Sequence, residues 1–209
     1  MSSTASSNAL RSVITFTLCY LLIASLFAWR LSNWEFILYI FVVLIIGLLV
    51  LNVHAKVHFS TGVLWCLSVW GLLHMLGGLA PIPMHWPHEG DKLVLYSFWL
   101  IPNVFKYDNL IHGYGFGVGT WACWQALSPI VIGTKEHITE IILAVLAANG
   151  LGAINEIIEF FATLTIPSTN VGGYSNTGWD LVFNLVGSSV AALIIWFGKP
   201  LAIVNTQSE

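Results

Sequence analysis

Apolar segments of membrane length recur along this chain. Each is long enough for a helix that crosses a hydrocarbon core about 30 Å thick. They lie at residues 13–29, 36–53, 61–79, 109–127, 138–164 and 179–197. Hydrophobic residues make up 57% of the 209 residues and charged residues 8%, which is more apolar surface than a water-soluble domain of this length needs. The sequence therefore predicts an all-α membrane protein, a bundle of six transmembrane helices.

The six segments are expected to form one domain. We predict a single transmembrane domain at residues 13–198, a short cytoplasmic N-terminus at residues 1–12 and a short cytoplasmic C-terminus at residues 199–209. The orientation follows from the positive-inside rule, because this arrangement places four of the seven Lys and Arg residues in the cytoplasm. These four are Arg11, Lys56, Lys135 and Lys199.

Polar residues occur near one end of four of these segments. They are His74 in LLHMLGG, Asp108 and His112 in YDNLIHGYG, Glu156 and Glu159 in NEIIE, and Asp180 and Asn184 in WDLVFNLVG. An ionisable group within a membrane span costs roughly 2.5–3.5 kcal/mol on insertion scales. The third and fifth segments end where the fourth and sixth begin, so all these residues lie near one membrane face. The pattern predicts a site at that face.

Helical spacing places the polar residues of each segment on one stripe. Asp108 and His112 are four positions apart, hence on the same helix face. Asn149, Gly152, Glu156 and Glu159 follow one another in steps of three and four. Polar and small residues on a shared stripe indicate the face that a helix turns toward other helices. The glycines of GYGFGVG, residues 113–119, would let another backbone approach closely.

Two loops flank the polar end of the predicted bundle. The longer, residues 81–107, is too long and too apolar for a simple connector, and it predicts an interfacial cap with a short helix or strand between helices 3 and 4. Four of its ionisable residues are expected to be solvated: His85, His88, Glu89 and Asp91. The shorter loop, residues 166–178, is polar and glycine-rich and is placed to fold over the mouth of the site.

The first function that these residues suit is that of a membrane-embedded enzyme acting on a lipid-linked or amphipathic substrate. Carboxylates and imidazoles on facing helices are how helix bundles hold metal ions, and this donor set suits zinc, manganese, iron or magnesium. The expected catalytic residues are Glu156, Glu159, Asp108 and His112. The expected ligands of a divalent metal are Asp108, His112, Glu156 and Asp180. The residues expected to support the substrate or the structure are His74, Asn184, Asn149 and Tyr107.

Other functions are compatible with the same residues. One is a non-catalytic accessory protein that binds a lipid or an antibiotic, and another is a proton-coupled transporter. Asn149 and Asn184 also suit a purely structural role as interhelical hydrogen-bonding groups. The chain has no basic patch for nucleic acid. The expected partners are membrane lipids and a small-molecule or lipid-linked substrate, and the sequence does not give an oligomeric state.

The order of the motifs resembles that of a known group. D-x-x-x-H, E-x-x-E and D-x-x-x-N-x-x-G, carried here by YDNLIHGYGFG, NEIIEF and WDLVFNLVG, resemble the VanZ-like membrane proteins and most closely the YjdF-like inner-membrane proteins. The resemblance covers about residues 74–188, and the first two segments carry nothing diagnostic. It implies a small polytopic bundle in a bacterial cytoplasmic membrane and little about function. Relatives often have a further Asp before the W-D motif, where this chain has Ser175, Asn176 and Thr177.

Overall fold

Six long helices make up most of the structure. A computed structural model describes residues 6–130 and 137–198. The helices are α1 (Ser7–Arg30), α2 (Trp34–Val57), α3 (Thr61–Leu79), α4 (Tyr107–Leu127), α5 (His137–Thr165) and α6 (Tyr174–Gly198). Lys135 and Lys199, which contribute to the predicted orientation, and the predicted C-terminal tail at residues 199–209 lie outside the described residues.

Five of the six helices are long and apolar enough to cross a membrane, and α4 is the exception. α4 has the length, 21 residues, but it is less apolar because it carries Asp108, Asn109, His112 and several glycines. It packs against α3, α5 and α6, so its polar face is covered by other helices. The protein is an all-α membrane protein with five candidate spans among the described residues, and a sixth span through α4 stays a prediction.

Side-chain caps begin the first three helices. Ser6 Oγ accepts a hydrogen bond from the backbone N–H of Ala9, and Asn33 Oδ1 accepts one from the N–H of Phe36. Ser60 Oγ accepts the N–H of Val63 in the same way. Each bond satisfies a backbone donor that the first turn of a helix leaves without an intrahelical partner. These residues therefore fix where α1, α2 and α3 begin.

The predicted start of α6 was wrong by five residues. Residues 174–178, which we expected to be part of a loop, are helical. The backbone N–H groups of Asn176 and Thr177 bond to the carbonyl oxygen of Gly173 at 2.8 and 3.2 Å, which closes the first turn. Asn and Gly favour turns in general. Here the side chain of Asn176 instead donates to Asp180 one helical turn later, at 2.6 Å.

The segment between α3 and α4 folds into a small cap. It contains a short 3-10 helix, Leu95–Ser97, and two antiparallel strands, β1 (Trp99–Ile101) and β2 (Phe105–Lys106). Isolated bridges join Pro81 to Val94 and His88 to Phe98. The expectation of a short helix or strand in this segment is confirmed, and its location at the membrane interface stays a prediction.

α4 and α6 meet in direct backbone contact at glycines. A Cβ atom placed on Gly187 would collide with the carbonyl oxygen of Gly113, and one placed on Gly117 would lie 3.1 Å from the carbonyl oxygen of Gly187. The close approach expected of the glycine run is confirmed. This crossing brings the start of α4, with Asp108 and His112, against the polar face of α6.

Replacing Gly187 with alanine is expected to destabilise the bundle by about 1–3 kcal/mol, because the new methyl group must push the backbones of α4 and α6 apart. Gly150→Ala is the matched control, since Gly150 is also helical and a Cβ there meets no atom within 4 Å. Thermal unfolding of the purified proteins in detergent measures the difference. Equal melting temperatures for the two variants would contradict the proposed backbone contact.

Candidate functional site

The site is built around His112 on α4. Its Nε2 lies 3.6 Å from Asp108 Oδ1, on the same helix, and 3.9 Å from Asp180 Oδ1 on α6. Its Nδ1 lies 3.8 Å from Glu156 Oε1 on α5 and 3.0 Å from Asn184 Oδ1 on α6. One imidazole therefore contacts polar groups from three helices.

The hydrogen bond between His112 and Asn184 determines which ring nitrogen carries the proton. An amide oxygen only accepts hydrogen bonds, so Nδ1 of His112 must be the donor. In neutral histidine the lone pair then resides on Nε2, which faces the carboxylates of Asp108 and Asp180. Three electron-rich groups thus point at one another across less than 4.8 Å.

We refer to His112, Asp108, Asp180 and Glu156 as the cluster. Two of its buried carboxylate oxygens have no hydrogen-bond partner among the described residues. They are Asp180 Oδ1 and Glu156 Oε2, on side chains whose residues are 0% and 8% exposed. A buried charged group without a partner is strongly destabilising, so such groups are normally paired or coordinate a metal ion. The arrangement requires a proton or a cation at this point.

Glu156 and Glu159 are connected through a residue that the sequence reasoning did not include. Asn155 Nδ2 donates to Glu159 Oε1 at 2.8 Å and to Glu156 Oε1 at 3.5 Å. Glu156, Glu159 and His112 each bring one ligand atom within 4.8 Å of the others, in a second group beside that of His112 with Asp108 and Asp180. The four-residue spacing of Asn155 and Glu159 was the available signal for this contact.

A lysine and an asparagine form the outer layer of the site. Asn176 Nδ2 donates to Asp180 Oδ2 at 2.6 Å and to Asp108 Oδ2 at 3.3 Å, while its Oδ1 accepts from Lys106 Nζ. Lys106 also forms an ion pair with Glu89 at 3.3 Å. Asn176 is one of the three residues, Ser175, Asn176 and Thr177, that lie just before the W-D motif. Its amide holds both aspartates by their outer oxygens.

A polar cavity of about 560 Å³ adjoins this cluster. Asp108 and Glu159 form part of its lining, whereas His112, Glu156 and Asp180 do not. The walls come from the cap and from the loop before α6, with residues 168–173 contributing as the sequence led us to expect. Glu89 and Asp91, expected to be only solvated loop residues, also line it. Of the acidic residues on α4, α5 and α6, Asp108 and Glu159 are therefore the two that line the cavity.

α2 also contributes to the cavity, although the sequence reasoning found nothing diagnostic in the first two segments. Glu35, at the start of α2, and Tyr39, one turn later, both line it. Glu35 Oε2 accepts the backbone N–H of Asn170 at 2.8 Å and lies 3.4 Å from Lys92 Nζ. The hydroxyl of Tyr39 is buried without a hydrogen-bond partner among the described residues.

His74 contacts aromatic rings. Tyr96 of the cap hydrogen bonds through its hydroxyl to His74 Nδ1, and the His74 ring stacks on Trp70 with centroids 5.6 Å apart. Burial raises the pKa of Tyr96 well above its ordinary value, so its hydroxyl stays protonated and donates this bond. His74 lines the cavity, but the structure does not place it in the cluster around His112.

The remaining support residues differ in what they contact. Tyr107 donates from its hydroxyl to the carbonyl oxygen of Leu73 at 3.0 Å and so ties α4 to α3. Asn149 donates to the carbonyl oxygen of Val145 in its own helix at 2.9 Å. Of the two asparagines suggested as interhelical hydrogen-bonding groups, Asn184 bonds across helices, whereas the bond of Asn149 stays within α5.

Comparison with known proteins identifies the family but not the activity. No curated protein and no solved structure matches the chain. Residues 10–199 match the family described as "Predicted membrane protein (DUF2238)". Because this match covers most of the 209 residues, the chain belongs to that family of membrane proteins.

Proposed function

We propose that this protein is a membrane-embedded enzyme that uses a divalent metal ion to act on an amphipathic or lipid-linked substrate. The proposed ligands are Asp108, His112 through Nε2, and Asp180, with Glu156 beside them. The observation that carries the proposal is the unpartnered, fully buried Asp180 carboxylate oxygen facing the Nε2 lone pair. A metal ion bonded to both groups would remove the penalty of burying them.

The distances between the ligand atoms support this assignment. Tetrahedral zinc with bonds of about 2.0–2.1 Å places its ligand atoms about 3.3 Å apart, and the two His112–aspartate distances are 3.6 and 3.9 Å. The other nitrogen of the imidazole donates to Asn184 Oδ1, and a metal-binding histidine generally donates its second N–H to an acceptor that fixes the orientation of the ring. Two carboxylates with one imidazole suit manganese, iron, magnesium or zinc.

Glu159 and Glu156 would then handle protons. Glu159 lines the cavity and can accept a proton from a water molecule there, whereas Glu156 lies deeper and contacts His112. A bound divalent ion supplies Lewis acidity and lowers the pKa of a coordinated water. Metal-assisted hydrolysis is the reaction class that this combination of a base, a water-accessible cavity and a cation suits best.

The membrane arrangement that we propose keeps six spans, both termini in the cytoplasm and a location in a bacterial inner membrane. α4 is buried among α3, α5 and α6, so its polar residues need not face lipid. The resemblance of the motifs to VanZ-like and YjdF-like proteins supports a polytopic bundle in a bacterial inner membrane, and the count of Lys and Arg residues supports the orientation. The mouth of the cavity, between the cap and the loop before α6, would lie at the outer surface.

Elemental analysis of the purified protein tests the proposal. We expect about one equivalent of a single divalent metal per chain, removable by a chelator and restored by titration. Without a metal ion, a doubly protonated His112 could balance the charge of the carboxylates beside it. That arrangement would suit a proton-coupled transporter. If no metal copurifies, and manganese, zinc, iron(II) and magnesium all fail to bind the purified protein, the metalloenzyme proposal is wrong.

A further inference from the structure

We propose that the apolar groove between α4 and α6 binds one hydrocarbon chain of a phosphate-bearing lipid whose head occupies the polar cavity. This inference rests on the proposed function of the cavity and names the substrate class. The groove has a volume of about 570 Å³. Its lining residues on the two helices include Leu110, Gly113, Val118, Phe183, Val190 and Ile194.

The groove and the cavity meet at one residue. Asn109 lines both of them, and it is only 3% exposed. Its Oδ1 accepts the backbone N–H of Lys106 at 3.0 Å, but its Nδ2 has no hydrogen-bond partner among the described residues. A buried amide donor without a partner is costly. An acceptor oxygen at the junction of a lipid head and its chain would satisfy it.

Neighbouring residues at this junction face the two compartments separately. Phe105 lines the groove and Lys106 lines the cavity, as expected for consecutive residues of a strand, whose side chains point to opposite faces. The Lys106 ammonium donates to Asn176 and forms an ion pair with Glu89 at 3.3 Å, and an ammonium group has three donors. Lys106 and Asn109 together suit a phosphate group at the junction.

The length of the groove fits a chain in one leaflet. Its lining on α4 runs from Asn109 to Trp121, about 18 Å along a helix with a rise of 1.5 Å per residue. Half of a hydrocarbon core of about 30 Å is about 15 Å. A chain that begins at the junction would therefore remain in contact with the groove across its own leaflet.

Photolabelling of the full-length protein in lipid nanodiscs tests this inference. The probe is a phosphatidic acid with a diazirine on one acyl chain, and mass spectrometry locates the labelled residues. We expect labels on the groove faces of α4 and α6, and about tenfold less labelling in Val190→Trp, whose indole would fill the groove. Leu185→Trp is the control, because Leu185 is 53% exposed on α6, as Val190 is 51%, but does not line the groove.

The phosphate at the junction has its own variant. Asn109→Asp keeps the oxygen that accepts the Lys106 N–H but replaces the free donor by a negative charge. Labelling by the phosphatidic acid should fall about tenfold, whereas labelling by the matching diacylglycerol probe should not. Excess glycerol 3-phosphate should not compete, because a free phosphate lacks the chain.

Three results would overturn the inference: equal labelling of Val190→Trp and Leu185→Trp, equal effects of Asn109→Asp on both probes, or full competition by glycerol 3-phosphate. Metal content is measured on the same samples, so the two proposals fail separately. Metal binding with no groove-dependent labelling leaves the enzyme proposal standing. If labelling depends on the groove but no metal is bound, the enzyme proposal fails and the protein is a lipid-binding protein.

Discussion

Replacing Asp108 with asparagine is expected to lower the affinity for a divalent metal ion by at least about 100-fold. Changes to residues that merely support a metal ligand typically cost about 10–100-fold in affinity, and the loss of a direct ligand should cost more. In the unmodified protein Asn176 Nδ2 donates to Asp108 Oδ2 at 3.3 Å, and the amide of the variant keeps an oxygen that can accept this bond. The charge that faces His112 Nε2 at 3.6 Å is lost. Helical content and membrane accumulation should therefore stay close to those of the unmodified protein.

A competition titration with a chromophoric chelator measures this loss, and two further variants sharpen it. Asp180→Asn should have an effect as large as that of Asp108→Asn. Asp91→Asn is the matched control, because Asp91 also lines the cavity but is exposed and belongs to neither cluster of possible metal ligands. It should bind metal as the unmodified protein does.

Glu156→Gln distinguishes a chemical role from a structural one. Glutamine preserves the shape and the oxygen that accepts from Asn155, but it cannot take up a proton. We expect it to abolish turnover while the protein still folds and inserts. If Asp108→Asn and Glu156→Gln both keep full metal affinity and activity, or if both fail to accumulate in the membrane, the acids act only in interhelical hydrogen bonding.

The parts of the site that lie on α4, α5 and α6 could be predicted from the sequence for a simple physical reason. Consecutive membrane helices alternate in direction, so residues at the end of one segment and the start of the next must lie near the same face. The spacing of Asp108 and His112 added the helix face. The glycine run indicated a close backbone contact, and the crossing at Gly187 has that character.

The contributions of α2 and of the cap were not accessible in this way. Glu35 lies in the first turn of α2, just after Asn33, the N-cap of that helix. An acid is expected there merely because of the helix dipole. Its partner Asn170 is 135 positions away, and no local pattern reports such a distance. Tyr96 lies in an apolar loop where an aromatic residue is ordinary. Only the packing of the cap on α3 brings it to His74.

Asn176 shows how turn preferences can mislead within a site. The sequence Tyr-Ser-Asn-Thr-Gly has the composition of a loop, yet it forms the first turn of α6. Its side chain bonds to Asp108 and Asp180 and accepts from Lys106. These tertiary contacts hold the segment in a helix against its local preference, which is why the predicted start of α6 was five residues late.

Replacing Glu35 with alanine is expected to release the loop that covers the cavity. Glu35 is 2% exposed, and its carboxylate accepts the backbone N–H of Asn170 at 2.8 Å and the ammonium of Lys92 at 3.4 Å. Lys92 also donates to the carbonyl oxygen of Ser168 at 3.1 Å. One carboxylate therefore connects the start of α2, the cap and the loop before α6.

The variant leaves the Asn170 N–H and the Lys92 ammonium, which is 34% exposed, without this acceptor, a loss of about 3 kcal/mol for hydrogen bonds to a buried carboxylate. Hydrogen–deuterium exchange of residues 166–173 should then become roughly 100-fold faster, because each 1.4 kcal/mol is a factor of about ten. The exchange rate in Glu35→Gln should lie between those of Glu35→Ala and the unmodified protein, since the glutamine amide oxygen can still accept from Asn170.

Glu89→Ala is the matched control for Glu35→Ala. Glu89 also pairs with a lysine of the cap, at 3.3 Å from Lys106, but its side chain is 59% exposed, and an exposed ion pair contributes only about 0–1 kcal/mol. Exchange of residues 166–173 should remain nearly unchanged in this variant. Metal content should stay the same in both variants, because neither residue belongs to the possible ligand groups. Equal exchange in Glu35→Ala and the unmodified protein would show that the loop is held by contacts other than this carboxylate.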